Sequence, residues 1–164
     1  MRATIVLIAV LLLCSSGTRA QKQVYDTTDR ITTGNIPLNE ISTRAVRHFI
    51  KHYPYARDEK WFITSKGFVA SFTSQYKIYR IYYNQKGGFR LSVVTYYEGK
   101  SFPLALERLV AIGYPDSEIK GIVELFNGTE RLYGITISNH NLYRLIEYSD
   151  DDNTKVVDEY NKPL

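Results

Sequence analysis

One stretch of this chain occurs twice, and that duplication constrains the fold more than any other feature. Ala45-Val46-Arg47-His48-Phe49-Ile50-Lys51-His52-Tyr53-Pro54 returns as Ala105-Leu106-Glu107-Arg108-Leu109-Val110-Ala111-Ile112-Gly113-Tyr114-Pro115. In the first copy Val46, Phe49, Ile50 and Tyr53 fall at the three-and-four spacing of one helical stripe. Leu106, Leu109 and Val110 repeat that stripe 60 residues later. Proline disfavours helical dihedrals in the residue before it, so each helix is expected to stop at or before Tyr53 and Tyr114. Ser42 or Thr43 is the expected N-cap of the first helix and Ser101 of the second, because a hydroxyl accepts a free amide of the opening turn.

The likeness continues past the helices. Tyr79-Arg80-Ile81 reappears as Tyr143-Arg144-Leu145, now 64 residues on, as small loop insertions would produce. After Pro54 the alternation and turn residues predict strands at Glu59–Thr64, Phe68–Thr73, Lys77–Asn84 and Phe89–Tyr97. After Pro115 they predict strands at Glu118–Phe126, Glu130–Ser138, Leu142–Ser149 and Lys155–Tyr160. Asn127-Gly128 is the strongest hairpin signal among the turns. The expected fold class is therefore α+β: a tandem repeat of a helix plus a four-stranded antiparallel meander, over 40–98 and 99–164. The two units are expected to form one curved sheet with the helices on one face. A lone unit of about 60 residues would bury only a marginal core, which gives two a reason to share one.

The N-terminus carries a secretory pattern. Arg2 supplies the positive end, Ile5–Leu13 is an unbroken apolar run, and Thr18-Arg19-Ala20 ends in a small residue. Residues 1–20 are read as a signal peptide and 21–39 as an irregular lead-in. The apolar run is far short of the ~20 residues of a membrane span, so no transmembrane segment is expected after signal removal. Cys14 follows Leu13 rather than a small residue, which argues against a lipid anchor there and for a periplasmic or secreted protein. Cleavage after Ala20 would remove this single cysteine, excluding disulfides and thiol chemistry from the mature chain. It would also remove Arg2 and Arg19, leaving 19 Lys+Arg against 17 acids, a net of +2. With no Lys/Arg-rich run, nucleic acid is not an expected partner.

Alternation also assigns faces. Phe68, Ala70 and Phe72, and in the second half Tyr133, Ile135 and Ile137, are expected to meet the helices. An unpaired buried guanidinium is costly, so the arginines of the two Tyr-Arg tripeptides are expected to face outward. That places Arg80 and Tyr82 with Arg144 and Tyr148 on an open sheet face, joined by Arg90 and Tyr96 of the neighbouring strand. Tyrosine and arginine are enriched at protein interfaces, so these six are the expected partner-binding residues. Tyrosines also suit half-exposed strands without any partner, and the residues alone leave that second reading open.

Other chemistry finds little support. His48 and His52 stand four apart on a helix, a spacing that can hold a metal, but Phe49 occupies the place where the zinc-protease motif needs glutamate. No metal site is expected. Asp150-Asp151-Asp152-Asn153 suggests calcium, yet Lys155 and Asn161 stand where the EF-hand loop needs glycine and an acid; an acidic turn is expected. Asn127-Gly128-Thr129 matches a glycosylation sequon, but a tight hairpin demands the same residues. No Gly-x-Ser-x-Gly, phosphate loop or dinucleotide fingerprint occurs, and neither an enzyme nor a cofactor is expected.

Tyr53-Pro54, Trp61, Gly67-Phe68-x-Ala70-x-Phe72, Phe102-Pro103 and Tyr114-Pro115 together resemble the bacterial PepSY-like proteins, the secreted Bacteroidetes-type group allied to the β-lactamase-inhibitor-protein fold. The resemblance covers about Asn39 to Tyr160. It implies a tandem repeat, a curved sheet with helices on one side, and export to the periplasm or cell surface. The founding inhibitor binds an enzyme on its sheet, but it is disulfide-stabilised and this chain is not, so none of its contact residues is carried over. The expected function is an exported, non-enzymatic module binding a protein or peptide; the alternative is an inhibitor of a secreted or periplasmic enzyme, of protease or β-lactamase type.

Overall fold

The computed structural model describes residues 36–97, 102–149 and 153–162. The expected signal peptide, residues 21–35 of the lead-in, Ser101 and the Asp150–Asp152 turn lie outside the described residues. After a 3-10 turn at Leu38–Glu40 come α1 (Thr43–His52), β1 (Lys60–Thr64), β2 (Gly67–Ser74), β3 (Lys77–Asn84) and β4 (Phe89–Tyr96). Then follow α2 (Leu104–Gly113), β5 (Glu118–Phe126), β6 (Arg131–Ser138), β7 (Leu142–Ser149) and β8 (Thr154–Asn161). Both helices end one residue before the Tyr-Pro pair, as the proline constraint requires.

The fold class differs from the expected tandem repeat. Among the described residues the strands form one eight-stranded antiparallel sheet in the order β1 to β8, with two ten-residue α-helices, so the described fold is mostly β. The two halves share this one sheet: β4 pairs directly with β5, from Ser92 with Phe126 to Tyr96 with Ile122. The Tyr-Arg tripeptides are also out of phase. Ile81 of the first is buried in the core against α1, whereas Arg144 of the second lies over the Tyr114 ring at the end of α2. The sequence match is therefore not a match of register, and the halves are not copies of one helix-plus-meander unit.

Both helices pack on the same face of this sheet. Ala45 and Phe49 of α1 meet Trp61, Ala70, Phe72, Ile81 and Tyr83, a core built of edge-to-face and stacked rings. Leu106 and Val110 of α2 meet Val94, Ile122, Ile135, Ile137 and Ile146, an aliphatic core. Tyr79 packs against both. Burying such a side chain fully contributes about 1.5–3 kcal/mol, so these residues fix which face the helices cover. The lead-in ends inside the first core: Ile36 is buried, and its amide bonds the Trp61 carbonyl at 3.5 Å.

Local chemistry departs from expectation at the start of α1. Ser42 is the N-cap residue but makes no capping bond; its hydroxyl donates instead to the Lys86 carbonyl at 3.5 Å, in the β3–β4 turn. That turn requires glycine. Gly87 has φ +73°, and a Cβ there would lie 2.2 Å from the Ser42 Oγ.

Candidate functional site

The sheet face away from the helices is the strongest candidate. Antiparallel register places Arg80 across from Ser71 and Val93, and continues the row through Leu125 to Leu132. The adjoining row sets Tyr82 between Val69 and Leu91. A third runs from Ile78 through Thr95 and Val123 to Gly134. All of these residues alternate with core residues, so their side chains leave the far face. Leu91, Val93, Val123, Leu125 and Leu132 thus make an apolar band across β4, β5 and β6, each half-buried, with the exposed Arg80 and half-buried Tyr82 beside it. Toward β8 the same face closes up: Leu145 is only 3% exposed, and burial pushes the Glu147 carboxyl up against the opposing pull of Lys155.

The six residues expected to share a face do not. Arg80 and Tyr82 stand together on the far face. Arg90 is exposed beside a β-bulge, where the pairing slips from Tyr82–Leu91 to Tyr83–Phe89, so alternation does not carry it to either neighbour. Tyr96, Arg144 and Tyr148 lie on the helix side. Tyr96 is 6% exposed, and its hydroxyl donates to the Glu124 carboxylate at 2.5 Å. Arg144 pairs with Glu159 across the β7–β8 ladder and lies 5.9 Å over the Tyr114 ring. Tyr148 packs against the second core beside Tyr133, ring centroids 6.1 Å apart.

Sequence reasoning missed the apolar band. Its signal was Leu91-Ser92-Val93-Val94, where Leu91 and Val93 put apolar side chains on the face opposite Val94, so the strand reads as in contact on both faces rather than one. The helix side holds a second polar feature, a seam of tyrosines around Glu124. The carboxylate accepts the Tyr96 hydroxyl and pairs with Arg131 at 3.2 Å. Burial, with the charge and hydroxyls of its neighbours, pushes the Tyr79 phenol up to about 12. Burial and the hydrogen bond to Glu124 push Tyr96 higher still. Tyr96, Glu124 and Arg131 form one bonded chain at the edge of the core, the arrangement of a satisfied structural network.

His48 and His52 stack with ring centroids 4.3 Å apart, and the His48 Nδ1 bonds the Tyr83 hydroxyl at 3.2 Å. Among the described residues no three His, Cys, Asp or Glu side chains gather as a metal site. The Asn127 hairpin forms as expected, its Oδ1 accepting the Thr129 and Glu130 amides. Among the described residues no helix is long and apolar enough to cross a membrane.

No protein-family profile matches this chain, and no curated protein matches it. Solved structures do. A BLIP-like protein from Bacteroides fragilis superposes with TM-score 0.56 at 16% identity, over 79% of this chain and 90% of that one. A DUF2874 family protein from Bacteroides uniformis gives 0.53 at 12% identity, over 73% and 88%. A candidate periplasmic protein from Bacteroides eggerthii gives 0.53 at 14%, over 74% and 88%. At such identities the likeness is one of fold, and this chain has the BLIP-like fold.

Proposed function

We infer that this chain is an exported, non-enzymatic binding module that takes a protein or peptide partner on the far face of its sheet. The observation that carries the reading is the band Leu91, Val93, Val123, Leu125 and Leu132, flanked by Arg80 and Tyr82, on a face that neither helix covers. A contiguous apolar surface edged by arginine and tyrosine has the composition of a protein interface rather than of plain solvated sheet. Export is supported by the secretory pattern of residues 1–20 and by a structural neighbour described as a candidate periplasmic protein.

The test is partner capture from a periplasmic extract, comparing the native chain with a variant carrying Arg80→Ala, Tyr82→Ala and Leu125→Asp. All three changes sit on the far face, away from both cores. Captured protein should be lost with the variant while its circular dichroism stays native. Undiminished capture would reject the far face as the binding surface.

A second reading, direct inhibition of a secreted or periplasmic enzyme, is favoured by the BLIP-like likeness. It predicts stoichiometric loss of activity when the chain is titrated into proteases or β-lactamases. Capture of a partner without such inhibition supports the first reading alone.

A further inference from the structure

The helix layer has an outer surface of its own, cationic on α1 and aliphatic on α2, where exposed Glu107 stands beside exposed Arg108. On α1, Arg44, Arg47 and Lys51 follow at spacings of three and four and are all exposed, so they form one stripe. His52 is exposed next to them, and the helix contains no acid. Like charges at that spacing repel, and Arg44 sits in the opening turn, where the helix dipole favours acids. Among the described residues, none of these three cations has an ion pair. The stripe works against the helix that carries it. Lys86 extends the charge, because its turn is bonded to Ser42 at the start of α1.

Large aliphatic side chains are exposed on the same layer. Ile50 of α1 is 62% exposed, and on α2 Leu104 is 59% and Ile112 is 83% exposed. Both helices pack on one face of the sheet, so these side chains belong to one outer layer. Cations and bare aliphatic side chains on one exposed layer are the two ingredients of a surface that lies in a membrane interface.

We propose that the outer surface of the helix layer docks on an anionic lipid bilayer. Arg44, Arg47, Lys51 and Lys86 meet the headgroups, while Ile50, Leu104 and Ile112 enter the boundary below them. An anionic bilayer complements the unpaired cations of α1 and also takes up Ile50, Leu104 and Ile112; a soluble acidic partner is an outcome that the vesicle experiment separates. The docked molecule would turn its far face toward the aqueous side, free for a partner. Docking and partner capture use opposite faces, so either can fail without the other.

The experiment is vesicle co-sedimentation of the chain from Gln21. That form keeps every described residue and removes the apolar run Ile5–Leu13, which would bind lipid by itself. Vesicles of equal parts phosphatidylcholine and phosphatidylglycerol should pellet the protein, with binding that falls as salt is raised. Vesicles of phosphatidylcholine alone should not. A variant with Arg44→Glu, Arg47→Glu and Lys51→Glu should lose roughly tenfold or more in partitioning. Ile112→Ser, which leaves every charge in place, should weaken binding severalfold. Absence of pelleting with anionic vesicles at low salt overturns the proposal. So does equal pelleting of the charge-reversed variant, or capture by a soluble polyanion alone without capture by vesicles.

Discussion

Arg80 and Arg144 leave opposite faces of one sheet. Arg80 lies across from Ser71 and Val93 on the face away from the helices. Arg144 lies across from Ile137 and Glu159, on the face that α2 covers. The two occupy matching tripeptides in the sequence, yet one is available to a partner while the other is held by Glu159 and the Tyr114 ring. Separate consequences follow from replacing each.

Arg80→Ala should leave stability within about 0.5 kcal/mol of the native chain, because the side chain is exposed and outside both cores. Arg144→Ala should lower stability by no more than about 1 kcal/mol, the range for an ion pair that remains partly solvated, and should leave partner capture unchanged. Denaturant unfolding combined with the capture assay checks both. A loss of capture with Arg144→Ala and none with Arg80→Ala would reverse the assignment of faces.

Much of the fold could be read from residue order, and the part that could not has a definite cause. Lys77–Asn84, Glu118–Phe126 and Leu142–Ser149 begin and end where alternation and turn residues place them. The phase of β6 could be read, with Tyr133, Ile135 and Ile137 on the helix side as alternation predicts, but the phases of β4 and β7 could not. Bulges interrupt the pairing between Tyr82 and Tyr83, between Ile119 and Gly121, and between Leu145 and Ile146, and each extra residue resets the alternation. In β7 both Leu145 and Ile146 are buried, so hydrophobicity there does not say which one meets the helices. The rule that arginine points outward failed at Arg144 because a carboxylate and a ring wait for it on the helix side. That partnership spans β7 and β8 and is invisible to local spacing. The candidate site was accordingly half legible: Arg80 and Tyr82 could be placed, while the apolar band depended on the pairing of β4 with β5.

His48 gives the molecule an acid-side sensitivity. Burial chiefly, then the charges of His52 and Lys51, hold its imidazole below the ordinary value of 6.5. The folded state therefore binds this proton less well than the unfolded one. Its stabilising contribution is present in full above pH 6.5 and is lost as pH falls through the lowered folded value. Thermal melts across that interval should show stability falling with acidification, and His48→Gln should flatten the slope. An unchanged slope in that variant would assign the sensitivity to another group.

The tyrosine seam gives an alkaline counterpart with the opposite sign. Tyr79 is pushed up from 10.0 to about 12 by burial and its neighbours, so the folded state holds this proton more tightly. The associated stability is present below pH 10 and is lost as pH rises toward about 12. Tyrosinate absorbance should accordingly lag behind that of the denatured chain. Tyr96→Phe removes the hydroxyl bonded to the Glu124 carboxylate and should cost about 1.5–3 kcal/mol at neutral pH, the range for a hydrogen bond to a charged group. A neutral effect would mean that Arg131 alone satisfies Glu124.

The β2–β3 hairpin carries an avoidable backbone cost. Ser74 pairs with Lys77, so Gln75 and Tyr76 form a two-residue loop, and both have positive φ, 49° and 62°. That is the geometry for which Asn-Gly is favoured, and a bulky side chain in the left-handed region is strained. Gln75→Asn with Tyr76→Gly should therefore raise stability by about 1 kcal/mol, seen as a higher urea midpoint with an unchanged slope. The Tyr97 amide, which bonds the Tyr76 carbonyl at 3.2 Å, keeps its acceptor because only side chains change. A lowered midpoint would show that the Tyr76 ring contributes more to the native state than its backbone conformation costs.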